Sequence, residues 1–241
     1  MGGMDLAANL EAVWKRIERA CEKAGRDPKE VSLTAVSKGH PPEAVAALAA
    51  AGHDLFGENR VQEAKAKIPE CPSGLRWHMI GHLQTNKARD AVRLFEVVQS
   101  VDSLKLAREL DKQAEKRGRV LPVLLEVNAA GEASKYGFSP ERLLAELEEI
   151  NRLPRLEIHG LMTMAPWTKD PEKVRPVFVR VRELKKRCEE KLGAPLAHLS
   201  MGMSGDFEVA VEEGSTIVRV GTAIFGERPC AWRPRPAAEG G

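Results

Sequence analysis

The chain has 241 residues and 43% apolar content, enough for one sizeable domain, and aromatics at only 5% leave Leu, Val, Ile and Ala to build its core. A formal charge of +2, with no basic stripe interleaved with aromatics, argues against nucleic acid as a partner. No stretch reaches the ~20 apolar residues of a bilayer-spanning helix, and Cys21, Cys71, Cys188 and Cys230 are too scattered for a disulfide framework, so a reducing cytoplasm and no membrane are expected.

In chain order, "MGGMDLAANLEAVWKRIERA" lacks an unbroken apolar stretch and reads as an amphipathic helix. Strand-like runs follow at "VSLTAVSK" (31–38), "HDLFGEN" (53–59), "WHMIGHL" (77–83) and "FEVVQSV" (95–101). Four more are "PVLLEVN" (122–128), "LEIHGLMTM" (156–164), "AHLSM" (197–201) and "STIVRVG" (215–221). Helical stretches lie between them at 42–52, 103–118, 139–153 and 170–193. Ser103 and Ser139 suit N-caps, Pro140 suits a first helical position, and Gly52, Gly118 and Gly193 mark helix ends. Pro176, near the start of the last helix, predicts a short first turn or kink.

Strands alternating with helices imply a parallel sheet with right-handed crossovers. Eight units after an extra N-terminal helix predict a single-domain (β/α)8 TIM barrel, an α/β fold, over residues 1–228, with a doubly wound sheet as the alternative. Residues 229–241, rich in Pro, Gly and Ala, read as a disordered tail.

In such barrels chemistry gathers at the C-terminal strand ends. The polar residues there are Lys38, Asn59, His82, Asn128, Thr163, Ser200, Arg219 and Thr222. Strand parity puts Ser32, Thr34, Val36 and Lys38 on one face, and the more apolar odd face suits the helices, so Lys38 points into the barrel mouth. The same reasoning turns Ile217, Arg219 and Gly221 inward. A lysine ending a strand is by itself most simply a snorkelling charge. After strands seven and eight, however, Ser200, Ser204, Gly221 and Thr222 offer hydroxyls and N–H groups where barrel enzymes commonly hold phosphate. An amine, a phosphate cradle and an inward arginine together describe a site for pyridoxal 5′-phosphate, held as a Schiff base on Lys38.

The segments "AVSKGHP" (35–41), "FGENRVQE" (56–63), "WHMIGHLQTNK" (77–87), "EASKYGF" (132–138), "GLMTM" (160–164) and "LSMGMSGDFEVAVEEGSTIVRVGTAIFGER" (199–228) resemble the pyridoxal phosphate homeostasis proteins (YggS/PROSC type). That family shares the barrel of the alanine racemase N-terminal domain and has no established catalytic reaction. The resemblance implies Lys38 as the Schiff-base lysine, Asn59 lining the cofactor ring, Ser200, Gly221 and Thr222 on the phosphate, and Arg219 at the pyridine nitrogen. Lys135 of "SKYG" is implied in cofactor exchange, and Ser204, Tyr136, His82 and Met162 are further candidates for contact. Asp206 is expected to supply a helix-capping carboxylate. Partners expected are the cofactor and the apo-enzymes that receive it, with the chain acting as a monomer in cofactor homeostasis.

Arg219, expected to stay protonated at the ordinary high pKa of a guanidinium, would donate to the ring nitrogen and leave it a poor electron sink, which suits holding more than catalysis. Amino-acid racemisation, the alternative, needs a second base, and Tyr136 is the one tyrosine in the chain. A phosphosugar lyase or isomerase using Lys38 ranks third. His78 and His82 sit at i, i+4 on a strand-to-loop run, which does not bring two imidazoles onto one metal, so no metal is expected.

Overall fold

A computed structural model describes residues 5–132 and 136–227. Lys135 and the tail beyond 228 lie outside the described residues. Helix α1 (Leu6–Ala24) starts where the Asp5 carboxylate accepts from Ala8 N, and ends at Gly25, whose φ of 64° is the left-handed cap that glycine tolerates. Its stripe of Leu10, Val13, Ile17, Ala20 and Cys21 is buried. Arg16 forks onto Glu208 with two 2.8 Å bonds, and Asn9 Nδ2 donates to Ile224 O, so α1 packs over the last units of the chain.

Eight parallel strands then close in chain order into a barrel. They are β1 (Ser32–Val36), β2 (Leu55–Glu58), β3 (Arg76–Met79), β4 (Val97–Val101), β5 (Leu121–Glu126), β6 (Leu156–Met162), β7 (His198–Ser200) and β8 (Ile217–Val220), with β8 pairing back onto β1. The closure decides for the (β/α)8 barrel over the doubly wound sheet. Connecting helices are α2 (Pro42–Ala50), α3 (Val61–Lys67), α4 (Ala88–Leu94), α5 (Leu104–Lys116), α6 (Pro140–Asn151), α7 (Arg175–Leu192) and α8 (Phe207–Glu212), and the short α9 (Thr222–Phe225) follows β8. Ser103 and Ser139 cap α5 and α6 as their sequence position predicts, accepting from Leu106 N and Arg142 N. The stretch 170–193 divides into a 3-10 turn at Pro171–Val174 and α7, with Pro176 in its first turn.

Two differences from the sequence reading have simple causes. Helices α3 and α4 have seven residues each, too few turns for an apolar period to stand out. The first strand stops at Val36, so Lys38 belongs to the following turn, where Gly39 takes a φ of 76°.

The core has two layers. The larger lies between strands and helices, while Leu124, Met162 and Ile217 form a small apolar cluster separate from it. Strands β6 and β7 approach so closely that a Cβ on Gly160 would lie 1.9 Å from His198 O. No rotamer relieves a clash with backbone, so Gly160→Ala is expected to cost about 1–3 kcal/mol, read as a lower urea midpoint with an unchanged m-value.

Candidate functional site

Closure of β8 onto β1 sets Thr34 opposite Arg219 and Ser32 opposite Ile217, so the even residues of β1 share a face with the odd residues of β8, as strand parity predicts. Arg219 is 4% exposed. Its Nη1 donates to Ser200 Oγ at 2.6 Å and its Nη2 to Thr163 O at 2.8 Å. Because Ser200 Oγ accepts from arginine, its own proton goes to Gln99 Oε1 at 2.6 Å. The Gln99 amide nitrogen therefore donates to His78 Nδ1 at 2.7 Å, which leaves the His78 proton on Nε2. Bonds from β4 to β7 can only cross the barrel interior, so one directed chain runs from the guanidinium through its floor. Burial pushes the His78 imidazole down to about 3, and it stays neutral.

Burial also pushes the Arg219 guanidinium down to about 10, against the pull of Glu126 and Asp206. That is below the sequence expectation but still fully charged at neutral pH. Glu126, 2% exposed, is pushed up to about 7 by burial and by Asp102, while Arg219 opposes the rise. Its Oε2 is buried with no hydrogen-bond partner among the described residues.

Lys38 opens onto a cavity of about 610 Å³, which Asn59, His82, Glu63 and Lys87 also line. Asn59 Oδ1 is buried with no hydrogen-bond partner among the described residues. His82 Nδ1 lies 3.0 Å from Asp102 Oδ2, and the Tyr136 ring, 55% exposed, stacks on the imidazole at 3.5 Å. On the β7–β8 side Gly221 N and Ala223 N both point at Ser204 Oγ, at 3.3 and 3.4 Å. Thr222 opens α9 and is exposed. Ser204, Gly221 and Thr222 thus gather together, beside the Lys38 cavity but outside its lining.

The contacts of three residues named from sequence can now be given. The Ser200 hydroxyl bonds Arg219 and Gln99, while the Ser204 hydroxyl accepts from Gly221 N and Ala223 N. Asp206 makes no bond to the helix it precedes; its Oδ1 accepts from Met203 N at 2.6 Å and ties the preceding turn instead. Met162 is fully buried with Leu124 and Ile217, in the apolar cluster. Residues not singled out from sequence are Gln99, Glu126 and the cluster of Glu58, Glu63 and Lys67 under the Lys38 turn. Two signals were present: a glutamate closing the apolar run "PVLLE", and a lysine on the buried Val61–Ala64–Lys67 stripe.

The family model for the alanine racemase N-terminal domain matches residues 8–229. The pyridoxal phosphate homeostasis protein of Aquifex aeolicus is 44% identical over 226 residues, covering 93% of this chain and 99% of the relative. That of Pseudomonas aeruginosa is 45% identical over 226 residues, covering 92% and 96%. The chain belongs to the pyridoxal phosphate homeostasis protein family. Among solved structures, PipY of Synechococcus elongatus with PLP bound is similar to this member at a TM-score of 0.77 and 40% identity, covering 88% of this chain and 100% of PipY. Alanine racemase of Clostridium difficile, 17% identical with a TM-score of 0.73, shares the fold over 93% of this chain and 57% of its own.

The buried carboxyl in this member's barrel floor makes stability depend on pH. Glu126 keeps its proton in the folded state well above the ordinary carboxylate range, so the folded protein loses stability as pH rises from the unfolded value, ~4.3, toward 7. Glu126→Gln is expected to remove that slope, gaining up to ~3 kcal/mol over wild type at pH 8 and little at pH 4, read by denaturant titration at each pH.

Proposed function

We propose that this chain binds pyridoxal 5′-phosphate in the barrel mouth, covalently on Lys38, and keeps it for delivery to apo-enzymes as a cytoplasmic monomer. The observation that carries the reading is the Lys38 side chain opening onto a cavity of about 610 Å³ that it shares with Asn59, in a barrel whose β8, paired with β1, bears the buried and directionally clamped Arg219. The volume suits a cofactor-sized ligand, and an orphaned Asn59 Oδ1 leaves one buried acceptor for it to satisfy.

When bound, the cofactor supplies an aldehyde that condenses with a primary amine, a ring nitrogen and a phosphate. Lys38 is the amine. Gly221 N, Ala223 N, the Ser204 hydroxyl and Thr222 would hold the phosphate through hydrogen bonds, since two backbone donors already converge on one oxygen there. Arg219 would donate to the ring nitrogen. With both amino groups bonded to the barrel floor, its orientation is set before any ligand arrives. A donor that stays charged keeps that nitrogen unprotonated and limits carbanion stabilisation, which supports holding over turnover. Lys135 keeps its proposed part in exchange.

The names of the relatives and the PLP-bound PipY support the same reading. Racemisation gains no support from the site, because Tyr136 is more than half exposed and stacked on His82.

Purified wild-type protein given pyridoxal 5′-phosphate is expected to absorb in the visible, and Lys38→Ala to lose that band. An unchanged spectrum in Lys38→Ala would overturn the assignment. Arg219→Met should keep the attachment but shift the band, because the ring nitrogen loses its charged donor.

A further inference from the structure

A lysine with no exposed surface sits directly beneath the Lys38 turn. Lys67 Nζ donates to Ser37 O at 2.8 Å, to Glu58 Oε1 at 2.6 Å and to Glu63 Oε1 at 2.8 Å. Glu63 Oε1 also accepts from Gly39 N at 2.6 Å, and Ser37 Oγ donates to Glu58 Oε1 at 2.7 Å. Both residues flanking Lys38 are therefore held by one buried ammonium, directly at Ser37 and through Glu63 at Gly39. The turn needs holding, because it carries a glycine in the left-handed region and lies beyond the end of β1. On its far side the His40 ring stacks on Phe225 at 4.8 Å.

Stability alone is a poor reason for this cluster. Desolvating an ammonium and a carboxylate costs several kcal/mol each, and well-packed apolar side chains of similar volume commonly serve as well. Burial pushes the Glu58 carboxyl up even with Lys67 against it, the sign of a site under that penalty.

We infer that Lys67 is a positioning residue for Lys38: through Ser37 and Glu63 it fixes the turn from which the Lys38 amine enters the cavity. The inference rests on the reading of Lys38 as the attaching amine. In that reaction the neutral amine nitrogen bonds to the aldehyde carbon, and the carbonyl oxygen leaves as water with both amine protons. Attack requires the nitrogen to sit near the aldehyde carbon, and misplacement of about 1 Å can cost ~10²-fold in rate. Ring and phosphate contacts made elsewhere in the mouth need no such placement.

The test separates attachment from binding. Apo-protein is mixed with pyridoxal 5′-phosphate, reading visible absorbance against time and the borohydride-trapped mass on the Lys38 peptide. A parallel titration uses 4-deoxypyridoxine 5′-phosphate, which has the ring and phosphate but no aldehyde. Variants are Glu63→Ala, Glu63→Gln and the double variant Lys67→Met, Glu58→Gln, which leaves no buried carboxylate facing an empty place. At saturating cofactor, Glu63→Ala and the double variant are expected to attach about ten- to a hundredfold more slowly, and the double variant, whose two residues do not line the cavity, keeps the analogue's affinity. Glu63→Gln should recover most of the rate, since its amide oxygen still accepts from Gly39 N.

Attachment at the wild-type rate in the double variant, or a parallel loss of attachment and analogue affinity there, would overturn the inference. If the double variant does not fold, the rates of Glu63→Ala and Glu63→Gln at saturating cofactor decide: equal rates overturn the inference, and a slow Glu63→Ala rescued by Glu63→Gln supports it. A wild type that never attaches at Lys38 sinks the proposed function itself, an outcome distinct from normal attachment in every variant.

Discussion

A guanidinium held inside the barrel organises the rest of this molecule. Arg219 has almost no contact with water, so each of its donors must find an acceptor in protein, and the directions of those bonds propagate. Ser200 and Thr163 accept, Ser200 passes its proton to Gln99, and Gln99 dictates the tautomer of His78. Four strands are tied across the interior by one ordered chain. The same buried charge works against the rise of the Glu126 carboxyl and keeps Asp206 in its field. A polar floor of this kind is costly where only packing is required, and reasonable where a polar ligand is to be met from above.

The mouth repeats the logic on the other side. The turn after β1 is braced from below by a buried lysine with two carboxylates and from the side by a histidine stacked on α9. Amine and guanidinium thus belong to neighbouring units, the amine's turn braced by Glu63 at the cavity wall and by Lys67 beneath it, the guanidinium held by Ser200 and Thr163. Phosphate-type donors at Gly221 and Ala223 follow directly from β8, the strand that carries Arg219. Three functions expected of one small ligand are met by two adjacent strands because the barrel closes between them.

Much of this could be read along the chain. Alternation of strand and helix, the caps at Ser103 and Ser139, and the parity of 32/34/36 against 217/219/221 are local properties that survive folding unchanged. Less could be read where a side chain had two credible partners. Ser200 and Ser204 are equivalent as serines in a turn, and only the position of Arg219 commits the first to the floor and frees the second for the turn. Asp206 before a helix looks like a cap, yet the amide it reaches is Met203 N, behind it.

Composition and pattern alone pointed to alternating strands and helices, to the inward face of the first strand and to the strand that bears the arginine. Those follow from spacing along one strand or helix, which local sterics dictate. Tertiary contact decided everything that required two distant segments to meet: the chain from Arg219 to His78, Glu126 in the field of that arginine, and Lys67 beneath the Lys38 turn. The reason is that hydrogen bonds and desolvation depend on which groups share a dry volume, and a barrel fills that volume from strands far apart in sequence.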